Sequence, residues 1–112
     1  MTVKRALIID NDISNLKAFT YLLQPHSNFF KVLTAAESEK AVDILNQEKI
    51  DLVIATMESV EMEGLAFFSD IREKNPKIQV ILIADDDNMF KRAENETRGI
   101  AHVFKKPVDI TI

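Results

Sequence analysis

Residues 6–12 read Ala6-Leu7-Ile8-Ile9-Asp10-Asn11-Asp12, four apolar residues running straight into a polar, acid-rich triplet. A strand with one wet face alternates apolar and polar residues, whereas a strand covered on both faces is apolar throughout. Residues 6–9 therefore read as a buried strand, β1. From Ile13 the period changes: Ile13, Leu16, Thr20 and Leu23 share one helical face. They predict a helix, α1, from residue 13 to just before Pro25, since the residue ahead of a proline disfavours the helical region.

The same unit recurs along the chain. Further apolar runs at 32–35 (β2), 52–55 (β3), 80–84 (β4) and 103–104 (β5) are separated by stretches of helical spacing. Ala41, Ile44 and Leu45 mark a second helix, α2, for which Ser38 is the expected cap. Leu65, Phe68 and Ile71 mark α3, from 64 toward 75. The least hydrophobic helix, α4, runs from 87 to 98 and ends at Gly99, which suits a left-handed cap. Strands alternating with helices predict a parallel sheet with right-handed crossovers and helices on both faces. The expected strand order is 2-1-3-4-5, a flavodoxin-like three-layer α/β sandwich. In such sheets the chemistry sits at the carboxyl ends of the strands, at the switch point between β1 and β3. That directs attention to 10–12, 56–58, 84–87 and 105–107.

Composition narrows the function classes. A chain of 112 residues is one domain's length, and a net charge of -4 argues against a nucleic-acid surface. With no cysteine there is no disulfide framework or thiolate metal site, which suits the cytoplasm, and any metal must use oxygen ligands. The apolar run before Asp10 is too short for a signal peptide or a membrane span. A flavin- or nucleotide-binding loop after β1 needs glycines and free amides, where this chain has Asp10-Asn11-Asp12.

Four collinear motifs carry a family resemblance. Ile8-Ile9-Asp10-Asn11-Asp12 resembles the acidic motif after β1 of response-regulator receiver domains in two-component systems. Asp51-Leu52-Val53-Ile54-Ala55-Thr56 resembles their β3, which carries the phosphoacceptor. Met62-Glu63-Gly64-Leu65 resembles the start of their third helix. Residues Gly99 to Pro107, ending Phe104-Lys105-Lys106-Pro107, resemble the signature around β5. The match runs from about Lys4 to Asp109.

The resemblance implies a phosphorelay module, and the departures from it bear on function. In the family the place of Thr56 holds an aspartate that takes a phosphoryl group from a histidine kinase. A threonine hydroxyl is barely ionised near pH 7 and has no adjacent base to activate it. The family's acidic pair holds Mg2+; here Asp10 matches the first acid, but Asn11 stands in place of the second. A hydroxyl at the end of β4 normally bonds the phosphoryl group; here that position is Ala84. Lys106 and Pro107 match the lysine and the typically cis proline. With one acid, Asp10, against one lysine, Lys106, a cation is no longer needed. Opposite charges about 4 Å apart attract by roughly 4 kcal/mol at an effective dielectric near 20, so the two could simply pair. Mg2+ binding is expected to be weak, with Asp10 the one candidate ligand.

Other features have plainer readings. Asp85-Asp86-Asp87 is an acid run that caps a helix sooner than it binds a cation. Glu58, Glu61 and Glu63 read as solvated loop charges, His26 and His102 as surface residues, and Phe68 as core. Met57, Met62 and Phe67 could form a partner patch. Five residues after Pro107 leave no room for the family's fifth helix, so 1–112 is expected to be a single domain from the N-terminal part of a longer regulator.

The resulting expectation is a non-enzymatic pseudo-receiver that docks a protein partner or dimerises through its α4–β5 surface, with a downstream output domain. A histidine kinase is a candidate partner; nucleic acid and membrane are not. The alternative is a receiver that accepts phosphate on a displaced carboxylate, Glu58 or Asp12.

Overall fold

The apolar runs pair in the expected order. In the computed structural model, which describes residues 3–26, 28–56, 66–97 and 101–105, five parallel strands form one sheet ordered β2-β1-β3-β4-β5. They are β1 (Lys4–Ile9), β2 (Phe30–Ala35), β3 (Leu52–Thr56), β4 (Gln79–Ala84) and β5 (His102–Lys105). The helices are α1 (Ile13–Leu23), α2 (Ser38–Gln47), α3 (Ala66–Lys74) and α4 (Asp87–Glu96).

The register explains how one sequence covers two faces. Ile9 pairs with Ala35 and Ala55, Ala55 with Leu82, and Leu82 with Val103, so these side chains form one row across the sheet. That row and the Leu7–Val53–Val80 row meet Ala41 of α2, Phe68 and Ile71 of α3 and Ala93 of α4 in one core cluster. On the opposite face Ile8, Ile83 and Leu16 of α1 are buried, but Phe104, opposite Ile83 at the sheet edge, remains 48% exposed. Fully burying a large apolar side chain contributes about 1.5–3 kcal/mol, and among the described residues more such side chains lie on the α2–α3–α4 face.

Helix ends correct two local expectations. Ser38 does not cap α2: it is the first helical residue and is buried, and Glu37 holds the extended cap position without a side-chain bond. The burial of Ser38 marks where the chain turns inward, and a glutamate is not among the side chains that favour a cap. In α1, Leu16 is buried and Leu23 partly so, whereas Ile13 and Thr20 face solvent. Ile13 opens the helix past the ends of the strands, and the Thr20 hydroxyl donates to the Leu16 carbonyl at 2.8 Å. Pro25 falls in a 3-10 turn, Gln24–His26, directly after α1. Helix α4 stops at Glu96, and the buried Thr97 hydroxyl donates to the Ala93 carbonyl at 2.6 Å; Gly99 lies outside the described residues.

Candidate site at the carboxyl ends of the strands

Backbone pairing brings the singled-out positions to one end of the sheet. The Asp10 amide donates to the Ala35 carbonyl at 3.1 Å, extending β1 by one residue, level with Thr56 on β3. Thr56 pairs with Ile83, and Ala84 pairs with Lys105. Asp10 and Thr56 therefore stand level on adjacent strands at the switch point, and Ala84 lies one residue past Ile83, the partner of Thr56. All three are buried, at 2%, 4% and 0% exposure.

Asp10 is the chemically unusual member. Its Oδ1 accepts the Asp12 amide at 3.0 Å, and its Oδ2 is buried with no hydrogen-bond partner among the described residues. A buried carboxyl oxygen without a partner is costly, and a cationic group is one that would satisfy it. Lys106, with Pro107, lies outside the described residues, as do Met57, Glu58, Glu61, Met62, Glu63 and the side chains of His26 and Phe67.

The neighbouring acids are already engaged. Asp12 caps α1, its Oδ1 accepting from Ser14 N at 2.9 Å and Asn15 N at 3.4 Å. Asp86 caps α4, its Oδ1 accepting from Met89 N at 2.8 Å. Asp87 Oδ1 accepts from Lys105 Nζ at 2.7 Å. That hydrogen bond, and then the charge of Lys105, hold the Asp87 carboxyl below its ordinary 3.8. The acid run thus does cap α4, as its sequence predicts, while the Lys105 clasp went unforeseen. The available signal was the pair of adjacent lysines at the end of β5. His102 opens β5 and is exposed.

Among the described residues the strand ends offer few ligands to a Mg2+ ion. Mg2+ favours near-octahedral oxygen coordination with carboxylate ligands, and the strand ends contribute Asp10 Oδ2 beside a neutral Asn11 and a threonine. Among the described residues no three His, Cys, Asp or Glu side chains gather closely enough to hold a metal. No helix among them is long and apolar enough to cross a membrane.

The model of the response regulator receiver domain family matches residues 6–111. The chain belongs to that family. It is 30% identical over 103 residues to the transcriptional regulatory protein GlrR of Escherichia coli K12, covering 92% of this chain and 23% of GlrR. Stress response regulator protein 1 of Candida tropicalis is 27% identical over 117 residues, covering all of this chain and 43% of that protein. The receiver thus spans less than half the length of either relative. Among solved structures, a receiver domain protein from Clostridium thermocellum superposes with a TM-score of 0.81 at 24% identity, over 96% of this chain and 85% of its own. The signal receiver domain of a DNA-binding response regulator from Colwellia psychrerythraea gives 0.79 at 25% identity, over 96% and 89%.

Proposed function

We propose that this receiver signals without accepting a phosphoryl group, acting as a pseudo-receiver through its α4–β5 surface. The observation that carries the reading is Thr56: the last residue of β3, buried beside Asp10, at the family's phosphoacceptor position. Ala84, also buried, has no hydroxyl to bond a phosphoryl group, and Asn11 offers no charge to a metal. Three parts of the switch are therefore missing from three separate strand ends.

The displaced-carboxylate alternative draws less support at Asp12, whose Oδ1 accepts the Ser14 and Asn15 amides as the α1 cap. Glu58 is the other candidate, and the same experiment separates the readings. Incubation with acetyl phosphate and Mg2+, followed by intact-mass analysis and acid treatment, is expected to give no acid-labile adduct. An adduct abolished by Glu58→Gln would establish the alternative.

Output in this reading passes to a protein partner, a second copy or an attached domain through the β5 edge and α4. Phe104 is exposed there, and the Lys105–Asp87 bond fixes the start of α4. The relatives' names as transcriptional regulatory proteins support a regulator as the larger context. A histidine kinase or phosphotransfer protein remains a docking partner in principle; a solved complex joins the yeast phosphotransfer protein Ypd1 to the receiver domain of Ssk1.

A further inference from the structure

The opposite end of the sheet carries a different chemistry. A groove of about 490 Å3 lies between α2 and α3, with Val42, Leu45, Ile50 and Ile71 among its lining residues. A second, of about 570 Å3, runs beneath the amino ends of β1, β3 and β4. Lys49, Ile50 and Asn75 line both, so the two form one continuous surface. The Asn75 side-chain amide donates to the Ile50 carbonyl at 3.2 Å and fixes the junction.

Four lysines surround this surface: Lys4, Lys49, Lys74 and Lys77. None of them has an ion-pair partner among the described residues. Of the acids in the two linings, Glu48 is drawn to Lys31 at 3.9 Å. Asp51 accepts the Arg5 amide at 2.9 Å, and Asp70 is the third. Setting Glu48 against Lys31 leaves four lysines against two acids, an excess of two positive charges, on a chain whose net charge is -4. The acids Asp10, Asp12, Asp86 and Asp87 lie at the other end of the sheet, so the domain is electrically polarised along its strands.

We infer that this amino-end surface docks an acidic, amphipathic peptide segment of a partner protein, apolar side chains entering the α2–α3 groove and carboxylates meeting Lys49, Lys74 and their neighbours. Charge complementarity selects the sign of the partner, and the apolar floor selects a peptide over a nucleic acid. A phosphate backbone would find lysines here but would run out over an acidic domain. The groove has the size of a binding cleft, and its lining sets the apolar Val42, Leu45, Ile50 and Ile71 among polar and charged side chains, as an amphipathic partner requires. Exposed Val42 at its mouth would be covered by such a peptide. This inference is independent of whether the domain is phosphorylated, because it concerns the end remote from Thr56.

The test uses the full chain and a short fluorescein-labelled peptide of alternating Glu and Leu, followed by anisotropy at increasing salt and by amide chemical-shift mapping. Binding is expected to weaken with salt and to shift Val42, Lys49, Ile50 and Asn75. Lys49→Glu with Lys74→Glu should weaken it at least about tenfold, each reversal replacing an attraction with a repulsion. Val42→Ser, at a site too exposed to unfold the domain, should weaken it severalfold. The charge-matched control Lys17→Glu with Lys91→Glu should leave it unchanged. Equal loss in the control, or shifts centred on Asp10 and Thr56, would overturn the proposal. So would a DNA duplex that outcompetes the peptide on this surface. Self-association abolished by the Lys49/Lys74 reversals, with no peptide binding, would make the occupant a second copy and likewise overturn it.

Discussion

Lys105 Nζ stands 2.7 Å from Asp87 Oδ1 and ties the end of β5 to the first turn of α4. Both side chains are largely exposed, so the bond adds little to global stability; its effect is local, holding the β4–α4 connection against the strand that leads into Lys106. Lys105 holds the Asp87 carboxyl below its ordinary 3.8, and a depressed folded-state value makes the sign definite. The contribution is fully present above that ordinary value and is lost as pH falls through the lowered one. Lys105 side-chain resonances and protection of the Asp85–Asp87 amides should therefore hold at neutral pH and decline below pH 3.8. Asp87→Asn should abolish that pH response; an unchanged response in the variant would show that the bond has no such role.

Beryllofluoride with Mg2+ mimics an aspartyl phosphate only where an aspartate is present to bind it. Neither it nor millimolar Mg2+ alone is expected to raise the melting temperature, since ligand stabilisation follows RT ln(1 + [L]/Kd) and among the described residues Asp10 Oδ2 is unpartnered while no three candidate ligands gather around a metal. A magnesium-dependent melting shift of several degrees, lost in Asp10→Ala, would contradict this.

Thr56→Asp alone should not rebuild a working switch. Asn11 would remain neutral, and Ala84 could not bond the phosphoryl group; a lost hydrogen bond to a charged group is worth about 1.5–3 kcal/mol, roughly 10- to 150-fold in a conformational equilibrium. Adding Asn11→Asp and Ala84→Thr should increase acetyl-phosphate labelling and partner response well beyond the single change. Ala84 is fully buried, so its enlargement should itself cost about 1–3 kcal/mol, and denaturant midpoints must be compared first. Full labelling and response in Thr56→Asp alone would mean that the rest of the pocket is intact.

The two sheet faces should respond unequally to truncation. Phe68 is fully buried in the α2–α3–α4 core, and Phe68→Ala is expected to cost about 3–5 kcal/mol in urea unfolding. Phe104→Ser removes a ring that is 48% exposed and should cost under about 1 kcal/mol. Comparable losses would show that Phe104 is covered in solution.

Removing the α1 cap separates structure from chemistry at Asp12. Asp12→Ala should lower stability by about 0.5–2 kcal/mol while leaving acetyl-phosphate labelling as absent as before. A labelled wild type whose adduct vanished in Asp12→Ala would make Asp12 a phosphoacceptor after all.

Strand number was legible in the sequence because hydrophobic period is a local property: short, continuously apolar runs such as 6–9 and 80–84, bounded by polar residues and separated by helical spacing, read as buried strands. Order followed from the crossover rule, and family from the four collinear motifs. The proposed loss of the acceptor at Thr56 rests on the resemblance of residues 51–56 to the family's β3 segment. The roles of the acids were not legible. Asp10, Asp12, Asp86 and Asp87 are alike as residue types, yet one is buried with an oxygen unpaired among the described residues, two cap helices and one holds Lys105 eighteen residues away. Those assignments follow from which backbone amides and ammonium groups the fold brings within about 3 Å. The basic end likewise joins Lys4, Lys49, Lys74 and Lys77, scattered along the chain and gathered only because parallel strands start at the same end of the sheet.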